Sequence, residues 1–85
     1  MARAPKLLAK ALAKNKNLRF EEFALLVEAF GFALARSVGS HRIYSHPDVP
    51  QPLSLQPLRG KAKPYQIRQF LLYVERYNLK MRGGR

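Results

Sequence analysis

Gly39-Ser40-His41-Arg42 is the stretch of this chain whose residue types can do chemistry. Imidazole is the side chain whose unperturbed pKa lies near neutrality, so it can give or take a proton there. Gly39 would let a phosphate approach the backbone closely, and Ser40 could hydrogen-bond it. RNA cleavage needs such parts: a base for the 2′-hydroxyl proton and an acid for the leaving 5′-oxygen. The plainer alternative for His41 is an ordinary turn histidine. His46 and Asp48 follow closely, but a metal site of His41, His46 and Asp48 has no supporting spacing. Strand alternation would put the two histidines on opposite faces. They read instead as solvated strand-end residues, and no metal is expected.

Around this stretch lie groups suited to a polyanion. Arg42, Arg59, Lys61, Lys63 and Arg68 can meet phosphates, or simply form a solvated surface. Tyr44 and Tyr65 offer rings for an unpaired base to stack on, although tyrosines beside a small core more often pack. The 85-residue chain has sixteen Lys or Arg against five Asp or Glu, a net charge of +11. That balance in a chain with 47% hydrophobic residues points to a folded domain with a nucleic-acid partner. The charge is segmented. Residues 1–19 carry six bases and no acid, residues 20–57 are slightly acidic, and residues 58–85 carry eight bases against Glu75.

Composition also excludes function classes. Zero cysteine removes disulfides, zinc ribbons, iron–sulfur clusters and thiol nucleophiles. With no disulfide framework and no secretory signal, a cytoplasmic location is expected. No apolar run approaches the ~18–20 residues of a membrane span, and no membrane partner or small-molecule cofactor is expected.

The elements that must position His41 follow from periodicity. Residues 5–14 read as a basic helix, with Leu7, Leu8, Ala11 and Leu12 on one stripe and Lys6, Lys10 and Lys14 on another. A second helix runs from about residue 18 or 19 to Phe30, capped by Asn17 and stopped by Gly31. Its apolar face is Phe20, Phe23, Ala24, Leu26, Val27 and Phe30. Residues 32–37 and 41–46 read as a hairpin around Val38-Gly39-Ser40. The proline-rich residues 47–52 are expected to be loop, leaving residues 53–56 as a short third strand. The loop at residues 59–63 leads to a helix opened by Pro64, with Ile67, Phe70, Leu71, Val74 and Asn78 on one face. The fold class is α+β: a small three-stranded antiparallel sheet with helices on one face and the other face partly open.

Three stretches together resemble one family. Residues 20–32, from Phe20-Glu21-Glu22 to Gly31-Phe32, resemble the first helix and Gly-Phe step of HicA-type toxins. Residues 36–44 resemble their Gly-Ser-His hairpin, and residues 61–71 with Tyr77-Asn78-Leu79 resemble their closing helix. The resemblance implies a fold like a double-stranded-RNA-binding domain and a toxin that cleaves mRNA with one histidine. It implies His41 as the catalytic residue, Gly39 and Ser40 as its supporting turn, and a HicB-type antitoxin as partner. Many members carry Pro-Arg-His on the third strand, where this chain has Gln56-Pro57. The expected organisation is a basic helix at residues 1–16, the toxin domain at 17–81 and a frayed tail at 82–85. Two other functions fit the composition: a non-catalytic RNA-binding module of the same fold, and a binder of an acidic protein surface.

Overall fold

A computed structural model of the protein describes residues 3–13 and 18–81. The tail expected at 82–85 and the Asn17 cap lie outside the described residues. Within them the elements run α1 (Arg3–Leu12), α2 (Phe20–Ala29), β1 (Ala33–Val38), β2 (His41–His46), β3 (Val49–Leu55) and α3 (Pro64–Arg76). The strands form one antiparallel sheet in the order β1-β2-β3, as expected for the α+β class.

Helix α2 starts at Arg19, whose backbone N–H donates to Glu22 Oε1 at 3.0 Å, the acidic half of a capping box. The same carboxylate accepts from Lys10 Nζ at 3.2 Å, tying α1 to α2. Leu7 and Ala11 of α1 are buried in the common core, whereas Leu12, expected on that stripe, is exposed. The end of α2 is Phe30 followed by Gly31 at φ 95°, where a left-handed residue must close the helix.

Helix α3 ends by the same physics with a different residue. Asn78 at φ 52° is its left-handed residue, the Leu79 N–H donates to Val74 C=O at 2.9 Å and the Asn78 N–H to Glu75 C=O at 3.3 Å. That is a Schellman motif. It corrects the placement of Asn78 on the helix's apolar face: Asn78 is exposed and terminates the helix.

The third strand is longer than proline content suggests. It begins at Val49 and includes Pro50 and Pro52. Two features accommodate them. β3 is an edge strand, so one side of it needs no ladder donors. The register also jumps: Tyr44 pairs with Leu53 and His46 with Val49, leaving Pro50-Gln51-Pro52 to bulge opposite Ser45. Gln51 Oε1 accepts from the Tyr77 hydroxyl at 3.1 Å, which fastens this bulge to the end of α3.

The core fills the space between the helices and one face of the sheet. Phe70 is fully buried at its centre, with the rings of Phe30, Phe23 and Phe32 at 5.4, 5.7 and 6.1 Å. From the sheet come Tyr44, Leu53, Leu55, Val49 and His46. Tyr44 is 1% exposed, so its ring is a packing ring and unavailable for stacking.

Burial also pushes the Tyr44 phenol above its ordinary value, although the neighbouring Arg42 opposes the shift. The folded protein thus holds this proton more tightly than the unfolded chain does. The stability it contributes is whole below pH ~10 and falls as the pH rises beyond that. Tyr44→Phe is therefore expected to flatten the alkaline loss of stability, read as urea midpoints near neutrality and at about pH 11. Equal alkaline losses in the two proteins would assign the decline to other groups.

Candidate active site at the hairpin end

Gly39 and Ser40 form a two-residue loop closed by the Val38–His41 pair. Gly39 has φ 60°, the conformation that a II′-type hairpin turn demands at its first central position. A Cβ built there would meet no heavy atom within 4 Å, so the requirement is conformational, and the backbone stands open to an incoming group.

His41 opens β2 directly after this turn. Its side chain is exposed and shares the outer face of the sheet with Val38, Arg36, Ile43 and Ser54. Arg42, Tyr44 and His46 alternate onto the helix-facing side. The imidazole of His41 makes no hydrogen bond or ion pair with the described residues, so both nitrogens are available.

His46 is the opposite case. It is 5% exposed, Nε2 lies 3.0 Å from Phe30 O and Nδ1 accepts from the Asp48 N–H at 3.0 Å. These bonds place the ring hydrogen on Nε2, which donates to the carbonyl. Phe32 packs on the ring at 5.0 Å. The expectation of a solvated strand end is corrected: His46 is a satisfied core histidine. It sits about 17 Å along β2 from His41 at strand rise, on the opposite face. No group of three or more His, Cys, Asp or Glu among the described residues converges to hold a metal ion.

The structure gives Gln56, noted in the sequence only as a departure from the family's third strand, a place at the site. Arg42 pairs with Leu55, the last residue of β3, and Gln56 follows directly after it. Gln56 Nε2 donates to Ser40 Oγ at 3.1 Å, and Gln56 Oε1 accepts from Lys63 Nζ at 3.1 Å. The Gln56 N–H is held in turn by Gln66 Oε1 at 3.2 Å. Gln66 is 3% exposed on α3, an anchor rather than a surface residue. The hairpin tip and the start of α3 are thereby bridged, and an ammonium is fixed near the histidine's turn. The signal available in the sequence was its place directly after the alternating Leu53-Ser54-Leu55, where the third strand runs out.

The basic loop is pinned as well. Leu58 and Lys61 exchange backbone hydrogen bonds at 2.9 and 3.0 Å around Arg59 (φ 54°) and Gly60 (φ 77°), a two-residue turn with both central residues left-handed. The Phe20 N–H donates to Gly60 C=O at 2.9 Å, and the Ala62 N–H to Leu18 C=O at 3.0 Å. The loop thus takes up an orphan donor at the start of α2. Arg59 and Lys61 project from it into solvent, and Tyr65 and Arg68 are exposed on the first turns of α3.

Arg42 faces the other way. Its guanidinium grips Glu21 with Nη1–Oε1 at 3.3 Å and Nη2–Oε2 at 2.9 Å, and lies 4.9 Å from the centroid of the Phe20 ring. The Glu21 carboxylate raises the Arg42 pKa, keeping the group charged. Together with Ser40, Gly39 and Gly60 these residues line an open cleft of about 450 Å³ between α2 and the hairpin. His41 is not among its lining residues; it stands on the far side of the same turn.

A family model described as the HicA toxin of bacterial toxin–antitoxin matches residues 20–74, most of the chain. The match starts at α2 and spans the hairpin, His41, Gln56 and nearly all of α3. Comparison with curated proteins and with solved structures gives no match.

Proposed function

Because the chain belongs to the HicA family, the toxins of bacterial toxin–antitoxin pairs, we propose that it is an mRNA endonuclease working without a metal and silenced by a HicB-type antitoxin. The observation that carries this reading is His41: an exposed imidazole at a glycine turn, without a bonded partner among the described residues, inside the matched region, with the Lys63 ammonium tied through Gln56 to the same turn. The element order from α2 to α3 is also that of a double-stranded-RNA-binding domain, which supports an RNA substrate.

In this mechanism the His41 imidazole removes the 2′-hydroxyl proton. The 2′-oxygen attacks the adjacent phosphorus, and the bond to the 5′-oxygen breaks. Lys63, with Lys61 from the pinned loop, offsets the added charge on the phosphate oxygens. Gly39 and Ser40 shape the turn that receives the phosphate. The leaving 5′-oxygen takes its proton from water, because His46 has both ring nitrogens engaged at the other end of β2. Arg59, Arg68 and the exposed Tyr65 extend the RNA surface beyond the reacting phosphate. Residues 17–81 carry this activity in a cytoplasmic protein, and α1 adds a basic helix to it.

RNA incubated with the purified chain in excess EDTA is expected to be cut, leaving 2′,3′-cyclic phosphate or 3′-phosphate ends. Cleavage should stop on adding the small protein encoded beside it. Products with 3′-hydroxyl ends would overturn the mechanism, and cutting that the partner leaves intact would overturn the antitoxin assignment.

A further inference from the structure

The Arg42 guanidinium has three neighbours and still borders open space. Glu21 takes two hydrogen bonds from it, the Tyr44 hydroxyl is a further polar partner, and its central carbon lies over the Phe20 ring, 4.9 Å from the centroid. Its charge is already matched by a carboxylate that is itself 73% exposed. A guanidinium so paired is a poor phosphate clamp, since an incoming phosphate would have to displace Glu21 or sit against it. What remains is a flat surface, locked in orientation, at the wall of a cleft of about 450 Å³. Guanidinium planes are among the surfaces on which unpaired RNA bases stack.

We infer that this cleft is a base-binding subsite: an unpaired nucleobase stacks on Arg42, next to the nucleotide whose phosphate meets His41. The inference rests on the endonuclease reading for the His41 half of that sentence alone. Strand alternation carries the geometry. His41 and Arg42 are neighbours in sequence and point to opposite sides of β2, with the bare Gly39-Ser40 tip between the two sites. An RNA strand crossing that tip puts its phosphate on one side and the next base on the other. Phe20 is only 4% exposed, so the base does not reach that ring and rests on the guanidinium above it. Arg42 then contributes to holding the strand in register by stacking, while the exposed Arg59 and Lys61 of the 59–63 loop supply the charge.

Binding measured with the His41→Ala chain tests this separately from cleavage. Single-stranded RNA oligonucleotides carrying one abasic site at successive positions are titrated against it. One position is expected to lose about 5- to 150-fold in affinity, the range for one stacked base. In the His41→Ala/Arg42→Ala chain that position should lose nothing further. The salt slope should be unchanged by Arg42→Ala, whereas a phosphate contact would lower it by about 0.7. Circular dichroism and the affinity for the fully abasic strand establish that the variant still folds. No sensitive position, sensitivity that survives Arg42→Ala, or a reduced salt slope would each overturn the subsite. If wild type binds with the expected pattern and never cleaves, the endonuclease reading fails and the base subsite stands.

Discussion

His41→Ala is expected to reduce RNA cleavage by about 10²–10⁴-fold, the usual contribution of a positioned general acid–base group. The variant should keep its fold and its RNA. The imidazole is exposed and has no bonded partner in the described structure, and surface substitutions of that kind shift stability by about 0.5 kcal/mol or less. In the proposed reading RNA affinity rests on groups other than His41, chiefly Arg59, Lys61, Lys63 and Arg68, which the substitution leaves in place. Rate and affinity therefore separate: single-turnover cleavage collapses while binding changes by a small factor. Cleavage undiminished in His41→Ala would remove the residue from the mechanism. Parallel loss of cleavage and binding would make it a contact residue and favour a binding module over an enzyme.

The site and the scaffold were not equally legible in the sequence. Helical periodicity exposed α2 and α3 because each presents an apolar stripe to one core, and Gly31 and Gly39 marked backbone that only glycine enters easily. β2 was readable to the residue. The start of the third strand is hidden because proline reads locally as a strand breaker, whereas at a sheet edge with a bulge its missing donor costs little. The burial of His46 is hidden for a related reason. The carbonyl that accepts from it belongs to Phe30, and no local pattern announces a partner so far away in sequence. The parity of Arg42, Tyr44 and His46 was the available clue. The Ser40–Gln56–Lys63 bridge needs the β2–β3 register and the seat of α3 together, so three segments must be placed before it exists. Local chemistry is visible in a sequence; convergence of distant polar groups is a property of the fold.

Phe70→Ala is the substitution expected to cost the scaffold most, about 3–5 kcal/mol, the range for removing a fully buried aromatic ring. Phe70 is fully buried on α3 and meets Phe23 and Phe30 edge-on, at 82° and 81°, with Phe32 tilted against it. It therefore joins α3 to α2 and to the chain entering β1. Such aromatic pairs add about 0.5–1.5 kcal/mol each beyond area burial, and three end together. A domain of this size has roughly 5–15 kcal/mol in all, so the loss takes about a fifth of it or more. Leu72→Ala, on the same helix and 55% exposed, should change stability by about 0.5 kcal/mol or less. Urea unfolding of the two variants measures the contrast, and a Phe70→Ala loss below about 1 kcal/mol would mean the ring is not the hub of the core. The consequence reaches the site. Lys63 and Gln66 stand at the start of α3, and both hold Gln56 against the hairpin that presents His41. A helix that loses its anchor at Phe70 releases that grip. Cleavage by Phe70→Ala should therefore fall at temperatures below its own melting point, even though Phe70 itself is fully buried in the core.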